Sequence, residues 1–288
     1  MPRRSRFPTS KTQRPSSFPW NLGAGDLGVV RVRDYSDSLL ARALAALLVL
    51  AGLYGVPAAQ EPLPDPVATF SILGFDPATG EVGGAVQSRV FSVGNGVLWA
   101  EADAGIVTTQ AIVDVSYGPK GLALLRAGIK PEAVIKAILD SDPDPGYRGQ
   151  AWPKAGRQFA VMDARGHYAV HTGPQASRWA GHVTGTFCTA QGNILAGEGV
   201  VRGMVEAFEK TEGHLSMRLM AALDAGQAAG GDTRGMQSAA MLIVKKNGGV
   251  WLNNDVVLRL QVDHSPDTAL AELRRIVEYW NTRNRPRR

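Results

Sequence analysis

The 288-residue chain has one cysteine, Cys188, so no internal disulfide can form. Cys188 sits in the apolar string GTFCTAQG, the setting of a buried and inert thiol. There is no Cys-x-x-Cys and no His-Glu-x-x-His, and only five histidines are scattered along the chain. The usual zinc patterns are thereby excluded, and no metal or other cofactor is expected. His167 and His171 lie four apart, a spacing that on a strand simply makes them same-face neighbours. No Gly-x-Gly-x-x-Gly follows a strand, and there is no phosphate loop, no Gly-x-Ser-x-Gly and no Ser-x-x-Lys. Dinucleotide binding, α/β-hydrolase chemistry and penicillin-binding chemistry therefore have no local support.

A basic stripe is also missing. The formal charge is +5, but residues 1–60 hold 8 Lys/Arg against 3 Asp/Glu, and residues 281–288 hold four Arg and no acid. Between Glu61 and Trp280 stand 19 basic and 23 acidic side chains, so the folded part carries no footprint for nucleic acid.

Residues 1–42 are rich in Arg, Ser and Pro at the start and read as a disordered, basic region. Arg31, Arg33 and Arg42 precede fourteen uncharged residues, ALAALLVLAGLYGV, at 43–56. A spanning helix needs about 20 apolar residues, and this run is shorter. Val56 and Ala58 suit the −3 and −1 positions of a signal-peptidase site, so residues 43–59 read as an export signal. The expected location is then periplasmic or secreted. The alternative is a retained anchor at 43–56, the one case that would bring membrane contact. Residues 60–67 are a Pro-rich linker and residues 281–288 a basic tail.

Residues 68–280 carry the fold. ATFSILGF and VGGAVQS flank the turn DPATGE, and VLWAEAD leads into AGIVTTQAIV. Two helices follow, KGLALLRAG and PEAVIKAILD, the second with Pro131 at its first turn and Val134, Ile135, Ile138 and Leu139 along one face. The pattern then recurs. RQFAVMDARGHYAVHTG turns at residues 164–166, SRWAGHV and GTFCTAQG add strand, and GVVRGMVEAFEKT and HLSMRLMAALDAG are helical. The last hairpin turns at residues 247–249, and a final helix aligns Leu270, Leu273, Val277 and Trp280. Hairpins alternating with helix pairs imply antiparallel sheets, because parallel strands need crossover helices. The expected architecture is α+β, a four-layer αββα sandwich of two antiparallel sheets in one domain.

Polar residues gather at the strand ends. They are Gln87, Ser88 and Arg89; Thr108 to Gln110; His171 to Gly173; Gln191 and Asn193; and Asp232, Arg234, Gln237 and Ser238 within GGDTRGMQSAA. Amides so placed can supply neutral donors to a developing oxyanion. Asp232 and Arg234 equally suit an ion pair that pins a loop. Arriving together at strand ends, these residues point to a shared cleft.

The strings TFSILGFDPATGEVGGAVQSR, TTQ, SYGPKGLALLRAG, HTG, QGNILAG, GGDTRGMQSAA and LRLQVDHSPDTALAELRRI together resemble a bacterial and archaeal family, domain of unknown function 1028. That family is regarded as similar to the N-terminal nucleophile (Ntn) hydrolases. The resemblance covers nearly all of residues 68–280 and implies the same αββα sandwich.

It also implies a chemistry. Thr69 stands where such an enzyme exposes the first residue of a strand as nucleophile, its free α-amine, of pKa about 8, acting as base. Gln87 stands where proteasome subunits have an acid, and no lysine occurs between Thr69 and Gln110. A cut between Ala68 and Thr69, beyond signal cleavage near Ala59, is required to free the amine. Ser71 shares the face of Thr69 and is an alternative hydroxyl, with His171 as its base. Gln110, Asn193 or Gln87 are the implied oxyanion donors, with Ser88, Arg89, Gln191, Gln237 and Ser238 around them. Asp232 and Arg234 would orient the site or take a charged substrate group.

The expected function is hydrolysis of amide-like C–N bonds in a small molecule or peptide. The alternative is a non-catalytic envelope protein that binds a small ligand or wall component at the same cleft. Assembly into a homo-oligomer is compatible with either.

Overall fold

The computed structural model describes residues 69–283 apart from 145, 148 and 150. The export signal, the linker and the end of the basic tail lie outside the described residues. No described helix is long and apolar enough to cross a membrane.

Among the described residues ten strands form two antiparallel sheets. The six-stranded sheet has the order β10-β9-β2-β1-β8-β7, and the four-stranded sheet the order β3-β4-β5-β6. In the first, β1 (Thr69–Asp76) and β2 (Glu81–Ser88) are the central hairpin, flanked by β8 (Cys188–Asn193) and β9 (Ser238–Val244). Its edges are β7 (Gly181–Gly185) and β10 (Val256–Val262). The second holds β3 (Leu98–Glu101), β4 (Gly105–Ala111), β5 (Arg157–Asp163) and β6 (Tyr168–Thr172).

Alternation along each strand sorts the core into three apolar groups. Phe70 and Ile72 of β1 join α4 (Glu198–Lys210), α5 (Leu215–Ala228) and α6 (Ala269–Arg283) through Met204, Phe208, Leu219 and Leu273. Leu73 and Phe75, on the opposite face of β1, join Ile106, Ala160 and Met162 of the other sheet. After the short α1 (Gly94–Val97), the helices α2 (Tyr117–Arg126) and α3 (Pro131–Ser141) face Val107, Phe159 and Val161 of that sheet. Each fully buried Val, Ile, Leu or Phe in these groups contributes roughly 1.5–3 kcal/mol relative to exposure. The α4 layer approaches β1 closely at Gly74, where a Cβ would lie 2.6 Å from the Phe208 ring, so no larger residue fits without displacing that ring.

The helix stripes follow the sequence pattern. Pro131 is at the start of α3, and Val134 and Ile138 are buried beneath it, with Ile135 and Leu139 partly so. In α6, Leu270, Leu273 and Val277 are buried and Trp280 packs beside them. Two boundaries differ from expectation. The helix runs three residues into the supposed tail, because Asn281 Nδ2 donates to Val277 O at 2.8 Å and to Ser216 Oγ at 2.9 Å. The last hairpin does not close at residues 247–249: Gly249 N donates to Asn254 O, and a second turn from Trp251 to Asn254 completes the reversal.

Candidate functional site

The hairpin register places Thr69 opposite Ser88, and the neighbouring pairings extend this row to Ser238 on one side and Asn193 on the other. One step inward, Ser71 pairs with Gln191 and Val86, and beyond that the face becomes apolar at Leu73 and Val82. The space between the sheets thus has an apolar end and a polar end. The four-stranded sheet answers the polar end with Thr108 and Gln110 of β4, Gln158 of β5 and Thr172 of β6.

Hydrogen bonds cross from sheet to sheet there. Ser71 Oγ donates to Gln110 Oε1 at 2.6 Å and accepts from Gln191 Nε2 at 2.7 Å. Gln110 Nε2 donates to Gln158 Oε1 at 2.9 Å and reaches Thr69 O at 3.3 Å. Asn193 Nδ2 donates to Gln158 Oε1 at 3.3 Å, and Gln158 Nε2 donates to Gly192 O at 2.9 Å and to Thr172 Oγ1 at 3.0 Å. All four amides are buried. In this water-poor interior such a network holds its members in fixed orientations, since an orphaned amide is costly. Thr69 Oγ1 lies at the network's margin and donates to Ser88 Oγ at 3.2 Å.

The candidate residues are therefore not all brought together. Thr69, Ser71, Ser88, Gln110, Gln191 and Asn193 share the space between the sheets. Gln87 does not: it alternates with Ser88, pairs across from Phe70, and its Nε2 donates to Gly235 O at 3.4 Å on the helix-facing side. His171 is also elsewhere. It pairs with Phe159, and the two rings lie 5.7 Å apart on the face of β6 turned away from Ser71. Ser238 supports the segment after β2, donating to Val90 O at 2.6 Å and accepting from Val93 N at 3.1 Å.

Thr172, singled out within the string HTG, belongs to the polar end, as do Gln158 and His182, which the sequence does not mark. Gln158 follows Arg157 at the start of β5 and shares a face with Ala160 and Met162, and that alternation is the signal that could have found it. His182 Nδ1 lies 3.0 Å from Thr172 Oγ1.

Burial holds the His171 imidazole below its usual value, with His182 adding to the effect, and burial does the same to His182. A histidine whose folded pKa is depressed takes up protons on unfolding. Its stabilising contribution is complete above the unfolded value of 6.5 and is lost as pH falls below it. Urea midpoints are therefore expected to drop between about pH 7 and 5.5, and to drop less in the double variant His171→Gln/His182→Gln. An unchanged pH slope in that variant would show that other groups govern the acid limb. Cys188 takes no part in the site; burial, then the Glu209 charge, pushes its thiol up to about 12.

The loop after α5 closes the site from the side. Asp232 is buried, accepts from Arg234 N at 2.9 Å and Arg89 N at 3.3 Å, and pairs with the Arg234 guanidinium at 3.1 Å. This is the loop-pinning ion pair. Arg89 NH1 donates to Gln237 Oε1 at 2.8 Å, and Gln237 N donates to Ser88 O at 2.9 Å. Arg89, Arg234 and Gln237 form one wall of a cavity of about 710 Å³, whose remaining wall is chiefly valine and Phe91. Among the described residues no group of three His, Cys, Asp or Glu side chains could hold a metal ion.

Two antiparallel sheets with helices, and a buried amide cluster at one end of the space between the sheets, define the class of protein. The particular family follows from comparison: residues 69–273 match the family of unknown function DUF1028, and the chain belongs to it. It is similar to the crystal structure of protein SPO2555 from Silicibacter pomeroyi, also assigned to DUF1028. The two are 32% identical over 74% of this chain and 86% of the other, with a TM-score of 0.65. No curated protein matches.

Proposed function

We propose that the protein is an exported hydrolase of amide-like C–N bonds, built as an αββα sandwich similar to the N-terminal nucleophile hydrolases. The observation that carries this reading is the position of Thr69 in the central strand, opposite Ser88 and Asn193, with its hydroxyl on Ser88 Oγ beside buried amides.

With Thr69 as first residue, its α-amine takes the hydroxyl proton while Oγ1 attacks the substrate carbonyl. The amine passes that proton to the departing nitrogen as the C–N bond breaks, leaving an ester on Thr69. Water, deprotonated by the same amine, then attacks the ester and releases the acid. Ser88 Oγ orients the nucleophile. Asn193, which pairs with Thr69 across the strands and is fixed by Gln158, is the oxyanion donor; Gln110, which donates to Gln158 Oε1 and Thr69 O, orients it. Ser71 is a connector: its hydroxyl already donates to Gln110 and accepts from Gln191.

Intact mass and N-terminal sequencing of the protein from the envelope fraction of its native cells test this reading. A mature chain beginning at Thr69 is expected; one beginning near Ala59 overturns it, because an amide nitrogen at Thr69 is no base. The cavity beside Arg89 favours a second reading, a non-catalytic envelope protein that binds a small ligand there.

A further inference from the structure

We infer that the cavity beside Ser88 is a carboxylate-binding subsite and that its ligand is an N-acyl amino acid with an apolar side chain. The amide in that ligand rests on the amidohydrolase reading of Thr69; the carboxylate and the apolar body rest on the cavity alone.

Charge comes first. Among the described residues two ionisable groups, Arg89 and Arg234, line the cavity. Arg234 is matched by the buried Asp232 carboxylate at 3.1 Å. Arg89 has no carboxylate partner among the described residues; its guanidinium bonds only to Gln237 Oε1. That bond also fixes the Gln237 amide, whose NH2 has no acceptor among the described residues. The wall therefore carries one uncompensated positive charge next to a neutral donor. A planar guanidinium with an adjacent NH suits a single carboxylate. A dicarboxylate or a polyphosphate would leave charge unmatched here.

The rest of the cavity is apolar. Phe91 and Val115 stand at its mouth, 67% and 48% exposed, and Val113 continues the same wall. Exposed apolar side chains around a concavity of this size mark a small-molecule site, for which roughly 300–1,000 Å³ is usual. A ligand with one charge and an apolar body satisfies both walls.

Position links the cavity to Thr69. Ser88, whose Oγ accepts from Thr69 Oγ1 at 3.2 Å, immediately precedes Arg89, and consecutive Cα atoms are about 3.8 Å apart. A carboxylate held by Arg89 brings the adjoining N-acyl amide toward the Thr69 hydroxyl.

Calorimetric titration of the full chain with N-acetyl-L-leucine and with N-acetyl-L-leucinamide tests the inference. The acid is expected to bind at least about tenfold more tightly than its carboxamide, the scale of a hydrogen bond to a charged group. Arg89→Gln is expected to bring the acid down to the affinity of the carboxamide, and Val115→Asp to weaken both probes. Equal binding of the two probes, no binding of either, an acid preference that survives Arg89→Gln, or indifference to Val115→Asp would each overturn it. The titrations read binding and need no turnover. Arg89-dependent binding of an acid that the mature protein never hydrolyses would keep this inference and remove the amidohydrolase reading.

Discussion

Replacing Thr69 by alanine in the mature protein is expected to lower amide hydrolysis by a factor on the order of 10⁴ to 10⁶, the scale seen when a nucleophile is removed. Ser71 does not take over, because its hydroxyl is held between Gln110 and Gln191. The fold should survive, because Ala removes one hydroxyl and one methyl from the margin of the network and leaves the four amides paired. Thr69→Ser keeps the attacking oxygen and should retain part of the rate. Ligand binding at the Arg89 cavity is expected to persist in Thr69→Ala, since Thr69 does not line it. Steady-state hydrolysis of an N-acyl amino acid, with a thermal melt on the same samples, separates these effects. A Thr69→Ala protein with parental turnover would remove Thr69 from the chemistry.

The helices were legible because their apolar residues recur with helical spacing and their starts are marked. Pro131 opens α3, and Leu270, Leu273 and Val277 of α6 are buried as their period requires. The sharing of one face by Thr69 and Ser71 was legible for the same kind of reason, strand alternation. What alternation cannot supply is the pairing of strands distant in sequence. Gln87 and Ser88 are adjacent candidates, and only the pairing of β1 with β2 decides that Ser88 meets Thr69 while Gln87 turns toward the helices. The sequence offers His171 as the base for Ser71; the register with Phe159 turns its ring away. Gln158 was hidden because a polar residue at a strand's start ordinarily meets solvent. Here a second sheet covers it, a fact of tertiary packing that local sequence does not encode.

Arg157→Met is expected to cost about 3–5 kcal/mol of unfolding free energy at neutral pH, the penalty for leaving one member of a buried ion pair alone. Asp142 ends α3 with its carboxylate fully enclosed and Arg157 Nε 3.3 Å away. Burial by itself would push the Asp142 carboxyl up. Hydrogen bonds from the Tyr117 hydroxyl and Asp144 N, with the Arg157 charge, outweigh it and hold the group below 3.8. Burial, then Asp142, in turn raises the Tyr117 hydroxyl. A carboxyl with a depressed folded pKa stabilises above its unfolded value and loses that contribution as pH falls through the folded one. Without Arg157 the buried carboxylate keeps the Tyr117 and Asp144 hydrogen bonds but faces no opposite charge, so the penalty should shrink toward pH 4, where protonation discharges it. The double variant Arg157→Met/Asp142→Asn should be less destabilised than Arg157→Met alone, because removing both charges leaves neither stranded. Urea titrations of the three proteins measure this, and a cost below about 1 kcal/mol for Arg157→Met would show the pair to be dispensable. The consequence reaches the cavity. Arg157 NH1 donates to Ile112 O at 2.8 Å, and Trp152, whose O accepts from the same nitrogen at 3.1 Å, donates through Nε1 to Val113 O at 2.8 Å. Losing Arg157 therefore frees the segment that carries Val113 and Val115. Binding of the apolar part of the ligand should weaken for acid and carboxamide alike, while the preference conferred by Arg89 persists.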